Sequence, residues 1–285
     1  MPELPEVETI RLELNKLIKN KQIKSVKVRL AKQVYGNKNI FIQKVQGSKV
    51  IGLKRRAKTL IINLNNNYSI IIHLKMTGQL IYVKKSKLAG GGHPISHNLK
   101  DLPNKYSHII FNFADGSRLF FNDTRQFGWA KLVKADELEK MNAQFGPEPL
   151  AKDFTSDKFK KLFEHKKTAI KPLLMDQKFI AGVGNIYAQE ACYCANIKPT
   201  RPAHKISESE LKKLYTCLRR ILQMAISKKG TSANDYVDAF GRQGSMNNYL
   251  KVYGKSGQKC SKCRSVIKCI RQAQRTTCYC AKCQT

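Results

Sequence analysis

Four cysteines near the C-terminus are spaced as metal ligands. Cys260 and Cys263 form one Cys-x2-Cys pair, Cys280 and Cys283 form a second, and 16 residues separate the pairs. Four thiolates in two such pairs can close a tetrahedron around Zn²⁺ and stabilise a segment too short to have a core of its own. None of the six histidines lies in this segment. The spacing therefore predicts one structural zinc ion bound by these four thiolates.

Two further cysteines of the same segment, Cys269 and Cys278, are predicted to be spare thiols. Cys278 could compete for the metal, although its single-residue spacing from Cys280 suits a chelate less well. The alternative is a set of free buried cysteines. The chain has nine cysteines, and its start does not resemble a signal peptide, so we expect a reducing compartment, where spaced cysteines more often bind metal than form disulfides.

The N-terminus contains a candidate nucleophile. A small residue after Met1 permits removal of the initiator methionine, which would expose the secondary amine of Pro2 beside Glu3, with Glu6 one helical turn further along. An α-amino group has a pKa of about 8 against about 10.4 for lysine, so more of it is unprotonated at neutral pH. Such amines attack electrophilic carbons and form imines, and a neighbouring carboxyl can transfer protons. The alternative is a proline-rich helix start whose acids complement the helix dipole.

The charge balance restricts the partners. The 285 residues include 53 Lys and Arg against 20 Asp and Glu, a formal net charge of +33. The excess positive charges repel one another unless a polyanion neutralises them, and nucleic acid is the leading candidate for that polyanion. A membrane is the alternative, but the apolar runs are far too short to span one, and the acidic start does not resemble a signal peptide. We expect a cytoplasmic, nucleoid-associated monomer.

The first half of the chain reads as a helix followed by a β domain. Residues 5–18 have a helical apolar repeat, and Asp115-Gly116 is a hairpin signal before 118–121. Short β-branched and aromatic runs are typical of strands, at 23–28, 60–64, 69–74 and 109–113. We predict an antiparallel β-sandwich with a leading helix, and a mobile loop over residues 84–105, which are rich in Gly, Lys and Pro.

The second half is predicted to be helical, with a small cysteine-rich tail. Between 156 and 228 the patterns are helical. One apolar stripe is formed by Leu211, Leu214, Leu218, Ile221, Leu222 and Ala225. Gly182 and Gly184 precede Asn185, predicted to cap a helix whose N–H groups can receive a phosphate. The class is α+β multidomain, with a sandwich over 1–135, a hinge over 136–150, a helical DNA-binding domain over 151–250 and a zinc hairpin over 251–285.

Motifs along the whole chain carry a family resemblance. The chain opens with Pro-Glu-Leu-Pro-Glu-Val-Glu-Thr at 2–9, and further blocks follow at 55–58, 73–78, 123–128, 146–150, 170–172, 176–177, 181–188, 252–254 and 275–276. In this order the blocks resemble the formamidopyrimidine-DNA glycosylases, bifunctional enzymes that excise oxidised purines. The resemblance implies a β-sandwich domain and a helix–two-turn–helix domain with a zinc β-hairpin. It also implies that double-stranded DNA containing oxidised bases crosses the cleft between the domains.

The resemblance also implies catalytic roles. Pro2 would attack C1′ of the damaged nucleotide, displace 8-oxoguanine or a formamidopyrimidine and leave a Schiff base. Glu3 would assist as general acid and base. Lys58 corresponds to the proton donor of β-elimination and Arg275 to the residue linked to δ-elimination. For Lys58 the alternative is a solvated lysine in a basic run.

Further residues correspond to DNA contacts of the family. Extruding a nucleotide leaves a void in the duplex. Met76, Arg125 and Phe127 correspond to the residues that fill this void. The alternative for Met76 and Phe127, each considered without the resemblance, is a place in the hydrophobic core. Residues 230–247 match the loop that folds over the extruded base. The groups that would contact the DNA backbone are His73, Lys58, Asn185 and Arg275, with Lys166 as a further contact and Tyr106 standing where a DNA-contacting His is frequent.

Besides Tyr106, three further departures and two rival functions accompany the resemblance. Lys75 replaces a usual Gly, Gln126 lacks a usual positive charge, and Cys278 replaces a usual aromatic. One rival is an endonuclease VIII-like enzyme for oxidised pyrimidines, but those typically open with Pro-Glu-Gly-Pro, so Leu4 favours the purine branch. The other is a non-enzymatic zinc-ribbon protein that only binds DNA.

Overall fold

The computed structural model describes residues 1–84, 87–92, 102–231 and 244–285. The chain divides into two compact units. The first contains Met1–Ala143 and Lys228–Asn247, and the second contains Gln144–Ser227 and Asn248–Thr285. Within the described part of the chain, no helix combines the length and apolar character needed to cross a membrane.

The first unit begins with helix α1 (Leu4–Ile18), which starts with a proline in its first turn. Proline suits this position because its fixed φ is helical and the first N–H groups have no partner within the helix. The helix buries one apolar face against the sheets, at Val7, Ile10, Leu14 and Ile18. The predicted leading helix is confirmed.

Two antiparallel sheets follow. One has the order β1 (Ile23–Val28), β7 (Ser107–Phe113), β8 (Arg118–Asp123), β5 (Gly78–Lys84) and β6 (Lys87–Gly92). The other has the order β2 (Val50–Arg56), β3 (Thr59–Leu64), β4 (Tyr68–His73) and β9 (Trp129–Lys134). The unit also contains helices α2 (Lys38–Val45) and α3 (Ala135–Ala143).

A single core joins the two sheets and confirms the predicted sandwich. Side chains alternate between the two faces of a strand, so every second residue of the central strands enters this core. From one sheet these include Leu60, Ile62 and Ile70, and from the other Leu80, Phe111 and Phe121. The Asp115-Gly116 turn joins β7 and β8, as the sequence predicts.

Strand β6 differs from the sequence prediction. It lies within residues 84–105, predicted as a loop, and pairs antiparallel with β5. Main-chain hydrogen bonding needs no particular side chain, so a Gly-rich segment can extend a sheet without the usual β-branched pattern. Within that predicted loop, residues 85–86 and 93–101 lie outside the described residues, and 102–105 contain no strand.

The second unit is mainly helical. It contains α4 (Ser156–Phe163), α5 (Ile170–Met175), α6 (Asn185–Ala195) and α7 (Glu208–Ser227), followed by the hairpin strands β10 (Ile267–Gln272) and β11 (Arg275–Cys280). The stripe predicted on α7 is the buried face of that helix. A disulfide joins Cys194 of α6 to Cys217 of α7, with 5.8 Å between their Cα atoms. The expectation that spaced cysteines would not form disulfides is wrong for this pair, because adjacent helices bring the two thiols together.

After α7 the chain returns to the first unit. The Ser245 N–H donates to the Lys228 carbonyl at 2.9 Å, and the Met246 N–H donates to the Gly230 carbonyl at 3.2 Å. These bonds hold the two ends of the segment 228–247 side by side. The loop predicted over 230–247 falls largely on 232–243, which lie outside the described residues.

Candidate active site and zinc centre

The start of α1 is built from carboxylates held out of water. Glu3 and Glu6 are 4% and 2% exposed, and Pro2 beside them is half-buried. Glu6 Oε2 accepts the Glu3 N–H at 2.8 Å, which satisfies a donor at the helix N-terminus. Glu6 Oε1 accepts the Thr231 N–H at 2.8 Å. The predicted nucleophile and its predicted acid–base partner therefore adjoin a rigid helix start.

Lys58 lies in the tight turn between β2 and β3. Arg56 pairs with Thr59 across this hairpin, so Ala57 and Lys58 are its two turn residues. Ala57 has a φ of +51°, as the first turn residue of a mirror-image hairpin turn requires. Lys58 is only 7% exposed, whereas lysines are almost never buried without partners. The alternative of a solvated lysine in a basic run is wrong.

His73 ends strand β4 directly beside the Lys58 turn, because it pairs with Thr59. Its Nδ1 accepts the Lys75 N–H at 2.9 Å. Burial, and after it the positive charges of Lys75 and Lys58, lowers the pKa of His73 to about 3. The ring is therefore neutral at physiological pH, and because Nδ1 is an acceptor, Nε2 carries the proton. His73 can thus donate a hydrogen bond to an anion as a neutral group.

Two neighbouring loops carry the predicted void-filling residues. We call residues 74–78 the Met76 turn and residues 123–128 the Arg125 loop. Met76 and Phe127 are 38% and 55% exposed, and the guanidinium of Arg125 lies 4.9 Å from the centre of the Phe127 ring. The alternative that Met76 and Phe127 belong to the core is wrong. Exposed apolar side chains at loop tips indicate a surface that binds another molecule.

The same two loops contain two of the departures from the family pattern. Lys75 has a φ of +51° and Gln126 a φ of +58°, both in the left-handed region that favours glycine. The family's usual Gly at position 75 is thus explained by the left-handed φ of this position. Tyr106 is half-buried, and its carbonyl accepts the Asp123 N–H at 3.1 Å, so it adjoins the Arg125 loop.

A buried carboxylate that sequence analysis missed joins the two loops. Asp123, at 0% exposed, accepts the hydroxyl of Thr77 and the N–H groups of Arg125 at 3.2 Å and Gly128 at 2.6 Å. The only sequence signal was its place in the motif at 123–128, because nothing local shows which loop an aspartate will bind.

In the second unit, α6 begins at Asn185 but its N-cap is Gly184, so the prediction of a capping Asn185 is wrong. The Asn185 Nδ2 instead donates to the Thr276 carbonyl at 3.2 Å. Gln177 holds the preceding turn, since its Oε1 accepts the Gly182 N–H and its Nε2 donates to the Val183 carbonyl, both at 2.8 Å. These bonds fix the backbone in front of the helix.

Arg275 is exposed at the start of β11, after the turn residues Ala273 and Gln274. Buried polar side chains hold the strand just beyond it. The Gln189 Nε2 donates to the Thr276 carbonyl at 3.1 Å and its Oε1 accepts the Cys278 N–H at 2.6 Å. Lys171, 1% exposed, donates to the Thr277 hydroxyl at 2.8 Å.

The predicted residues thus fall into two groups, each described within its own unit. Lys166 is exposed after α4, and its carbonyl accepts the His204 N–H at 3.0 Å. The first unit contains Pro2, Glu3, Lys58, His73, Met76, Tyr106, Arg125 and Phe127, and the second contains Lys166, Asn185, Arg275 and the zinc cysteines.

The four predicted zinc ligands converge at the base of the β10–β11 hairpin. The Sγ atoms of Cys260, Cys263, Cys280 and Cys283 all lie within 4.8 Å of one another. The Cys260–Cys283 separation is 3.9 Å and the Cys263–Cys280 separation is 3.5 Å. A tetrahedron with Zn–S bonds of about 2.3 Å has S–S edges of roughly 3.8 Å, so the cluster fits Zn²⁺. Four cysteine ligands complete the coordination, which makes the site structural.

Cys269 and Cys278 are not spare thiols, and Cys278 does not compete for zinc. They form a disulfide with a Cα–Cα distance of 4.0 Å. The two residues are direct partners across the β10–β11 ladder, which places their side chains on one face. Strand register, which the cysteine spacing does not reveal, explains the pairing.

Comparisons with known proteins cover the whole chain. Family models match for the formamidopyrimidine-DNA glycosylase N-terminal domain over residues 1–130, the formamidopyrimidine-DNA glycosylase H2TH domain over 145–236, and the zinc finger found in FPG and IleRS over 257–285. Proteins named formamidopyrimidine-DNA glycosylase are 41% identical in Carboxydothermus hydrogenoformans and 38% identical in Heliobacterium modesticaldum, with 100% of both chains covered.

Solved structures show the same relationship. A complex between Lactococcus lactis Fpg and DNA containing an abasic site has 33% identity and a TM-score of 0.87, and covers 99% of both chains. A complex of a mutant of that enzyme with DNA containing Fapy-dG has 34% identity and a TM-score of 0.88, with the same coverage. From its full-length sequence match and its fold, the chain belongs to the formamidopyrimidine-DNA glycosylase family.

Proposed function

We propose that this protein excises oxidised purines, 8-oxoguanine and ring-opened formamidopyrimidines, from double-stranded DNA and then cleaves the strand at the abasic site. The observation that carries the proposal is the start of α1, where Pro2 adjoins two buried carboxylates and Glu6 holds the Glu3 N–H at 2.8 Å. Support comes from the Lactococcus lactis relative, which was solved with abasic-site and Fapy-dG DNA.

The first step uses the amine of Pro2 after removal of Met1. An ordinary α-amino group has a pKa of about 8, so about a tenth of such groups are unprotonated at pH 7, far more than of lysine side chains. Its lone pair attacks C1′ of the damaged nucleotide, the C1′–N bond to the base breaks, and the base leaves with a proton. Loss of the amine proton and ring opening give an iminium at C1′. Glu3 transfers the protons as general acid and base.

The iminium acidifies the hydrogen on C2′, and this permits strand cleavage. Removal of that proton breaks the C3′–O bond in β-elimination, for which Lys58 is the proposed proton donor. A second elimination breaks the C5′–O bond and involves Arg275. Both phosphates leave, and hydrolysis of the imine restores Pro2.

The remaining residues hold the distorted DNA. His73, as a neutral donor, and Lys58, Asn185 and Arg275 contact backbone phosphates around the lesion. Lys166 is a further DNA contact, and Tyr106 stands where the family often has a DNA-contacting His. Met76, Arg125 and Phe127 occupy the space that the extruded nucleotide leaves. Zinc bound to Cys260, Cys263, Cys280 and Cys283 supplies structure to the hairpin that presents Arg275, and the reaction itself needs no open metal position.

Borohydride trapping on lesion-containing duplex tests the proposal. The mature protein should be trapped covalently on an 8-oxoguanine duplex, and mass spectrometry should place the sugar adduct on Pro2. Protein that retains Met1 should give no adduct, because Pro2 is then a non-nucleophilic amide. An adduct on an internal lysine would overturn the assignment of the nucleophile.

The same assay distinguishes the two rival functions. An endonuclease VIII-like enzyme would cleave thymine glycol duplex in preference to 8-oxoguanine duplex. A non-enzymatic zinc-ribbon protein would bind DNA with a steep salt dependence but give no adduct and no nick. Because the proposed substrate is chromosomal DNA of a bacterial-type enzyme, we also propose a cytoplasmic location at the nucleoid.

A further inference from the structure

We infer that Asp123 is a positioning residue that fixes the Met76 turn and the Arg125 loop relative to each other, so that their side chains enter the DNA as one preformed unit. This inference rests on the proposed function. Asp123 itself does not touch DNA in this scheme, because its side chain is fully buried. It acts through Met76, Arg125 and Phe127.

The contacts of the carboxylate span both loops. Asp123 Oδ1 accepts the Thr77 hydroxyl, from the residue that follows Met76, and the Arg125 N–H at 3.2 Å. Asp123 Oδ2 accepts the Gly128 N–H at 2.6 Å, from the residue that follows Phe127. The Arg125 N–H is also 3.1 Å from Thr77 Oγ1, so the two loops meet directly. One carboxylate therefore binds beside each of the three exposed side chains.

Glycine at position 128 is what allows this approach. A Cβ atom there would lie 2.8 Å from Cζ of Phe121, closer than real side chains come, and 3.0 Å from Asp123 Oδ2, a tight contact that would push the carboxylate away by a few tenths of an ångström. A side chain at position 128 would therefore crowd the carboxylate. A carboxylate has two oxygens with about four acceptor positions, so Asp123 is suited to holding two loops that have no core of their own.

Rigid loops matter because insertion must compete with base stacking. Ordering flexible side chains and loops during binding reduces the net gain of the contact. Met76 and Phe127 are already held in water, 38% and 55% exposed, and Arg125 is packed 4.9 Å from the Phe127 ring before DNA arrives. A preformed wedge avoids this ordering cost at the moment of extrusion.

The decisive comparison is between two substrates of the same enzyme. Excision of 8-oxoguanine from duplex DNA requires extrusion and void filling, whereas cleavage of an abasic site in single-stranded DNA has no opposite strand and no stack to replace. For Asp123→Asn we expect single-turnover excision to fall about 10- to 100-fold, the scale of a misplacement near 1 Å. Cleavage and borohydride trapping on the single-stranded abasic substrate should stay within about twofold of wild type.

Two further variants complete the design. Thr77→Val removes the hydroxyl but keeps the carboxylate, so it should show the same split between substrates even if Asp123→Asn folds poorly. The double variant should lose no more than the worse single variant, because both remove one coupling. Asp115→Asn is the matched control. Asp115 accepts the Ser117 N–H at 3.1 Å and the Ser117 hydroxyl at 2.5 Å, at the other end of β8 from Asp123. The Asp115→Asn substitution should therefore leave both reactions unchanged.

Wild-type excision by Asp123→Asn and Thr77→Val would overturn the inference, and so would an equal loss on both substrates, which indicates a general structural role. These outcomes are distinct from failure of the proposed function, in which the wild-type protein itself would form no adduct.

Discussion

Glu6 and Thr231 are 225 positions apart, yet Glu6 Oε1 accepts the Thr231 N–H at 2.8 Å. The other oxygen of the same carboxylate accepts the Glu3 N–H at 2.8 Å. Gly230 permits this contact, since it has a φ of +82° and a Cβ atom there would lie 2.8 Å from Glu6 Oε1. One buried carboxylate thus joins the start of the first helix to the chain that returns after α7.

Replacing Glu6 with glutamine should remove one of these two hydrogen bonds. An amide has only one oxygen acceptor, so either the Glu3 or the Thr231 N–H would face an NH₂ group and lose its partner. An unsatisfied buried donor costs about 1–3 kcal/mol. We expect Glu6→Gln to lower the free energy of unfolding by that amount in urea titrations and to slow excision.

Glu8→Gln is the matched control on the same helix. Glu8 forms ion pairs with Arg11 at 2.7 Å and Arg55 at 3.1 Å, and its side chain is 18% exposed. Partly exposed pairs contribute at most about 1 kcal/mol. Equal effects of Glu6→Gln and Glu8→Gln would contradict a special role for the Glu6 carboxylate.

Lys75→Gly should stabilise the protein. Lys75 has a φ of +51°, and a left-handed conformation costs a non-glycine residue about 1–2 kcal/mol. We expect the free energy of unfolding to rise by about 1 kcal/mol, whereas Lys75→Ala, which keeps the unfavourable φ, should not raise it. The salt slope of DNA binding should fall by about one unit in both variants if Lys75 contacts a phosphate. A stabilising Lys75→Ala would show that charge, not conformation, sets the effect.

The pKa of His73 predicts an acid-sensitive fold. Its folded value is about 3 against 6.5 for an ordinary histidine, so between these pH values the unfolded chain binds more protons than the folded one. The free energy of unfolding should therefore fall as the pH drops from 6.5 towards 3, by up to about 1.4 kcal/mol per pH unit. His73→Gln should remove this part of the slope. Urea titrations at pH 4.5, 5.5 and 7.5 would check it, and an unchanged slope would contradict a neutral His73.

Zinc binding should not depend on the neighbouring Cys269–Cys278 disulfide. The four ligand sulfurs lie within 4.8 Å of one another, and Cys269 and Cys278 are bonded to each other instead. A Cys269→Ser, Cys278→Ser double variant should keep one zinc per chain by elemental analysis, while Cys260→Ser should lose it together with DNA binding. Loss of zinc from the double variant would show that the disulfide cysteines take part in the metal site.

Local patterns account for much of the first unit. The apolar repeat of α1, the run at 23–28 that forms β1, and the Asp115-Gly116 turn depend on neighbouring residues, so the sequence displays them. Strand β6 was missed because its pairing uses the main chain of Gly-rich residues.

The site divides in the same way. Cysteine spacing predicted the zinc cluster because both pairs are short local motifs. The contacts of Asp123 with Thr77 and of Glu6 with Thr231 join segments distant in sequence, and the disulfide of Cys269 depends on strand register. Nothing in residue type or periodicity specifies such partners. The roles of Pro2 and Lys58 stay predictions until the adduct is mapped.

The return of Lys228–Asn247 to the first unit determines when that unit can be completed during synthesis. Nascent domains usually fold in order as they leave the ribosome, at about 5–20 residues per second. Here the first unit must wait for about 100 further residues, on the order of 5–20 s, before its last segment emerges. During this interval the Glu6 carboxylate lacks its hydrogen bond from Thr231. In the nascent chain, the contacts at the start of α1 are therefore incomplete until most of the polypeptide has been translated.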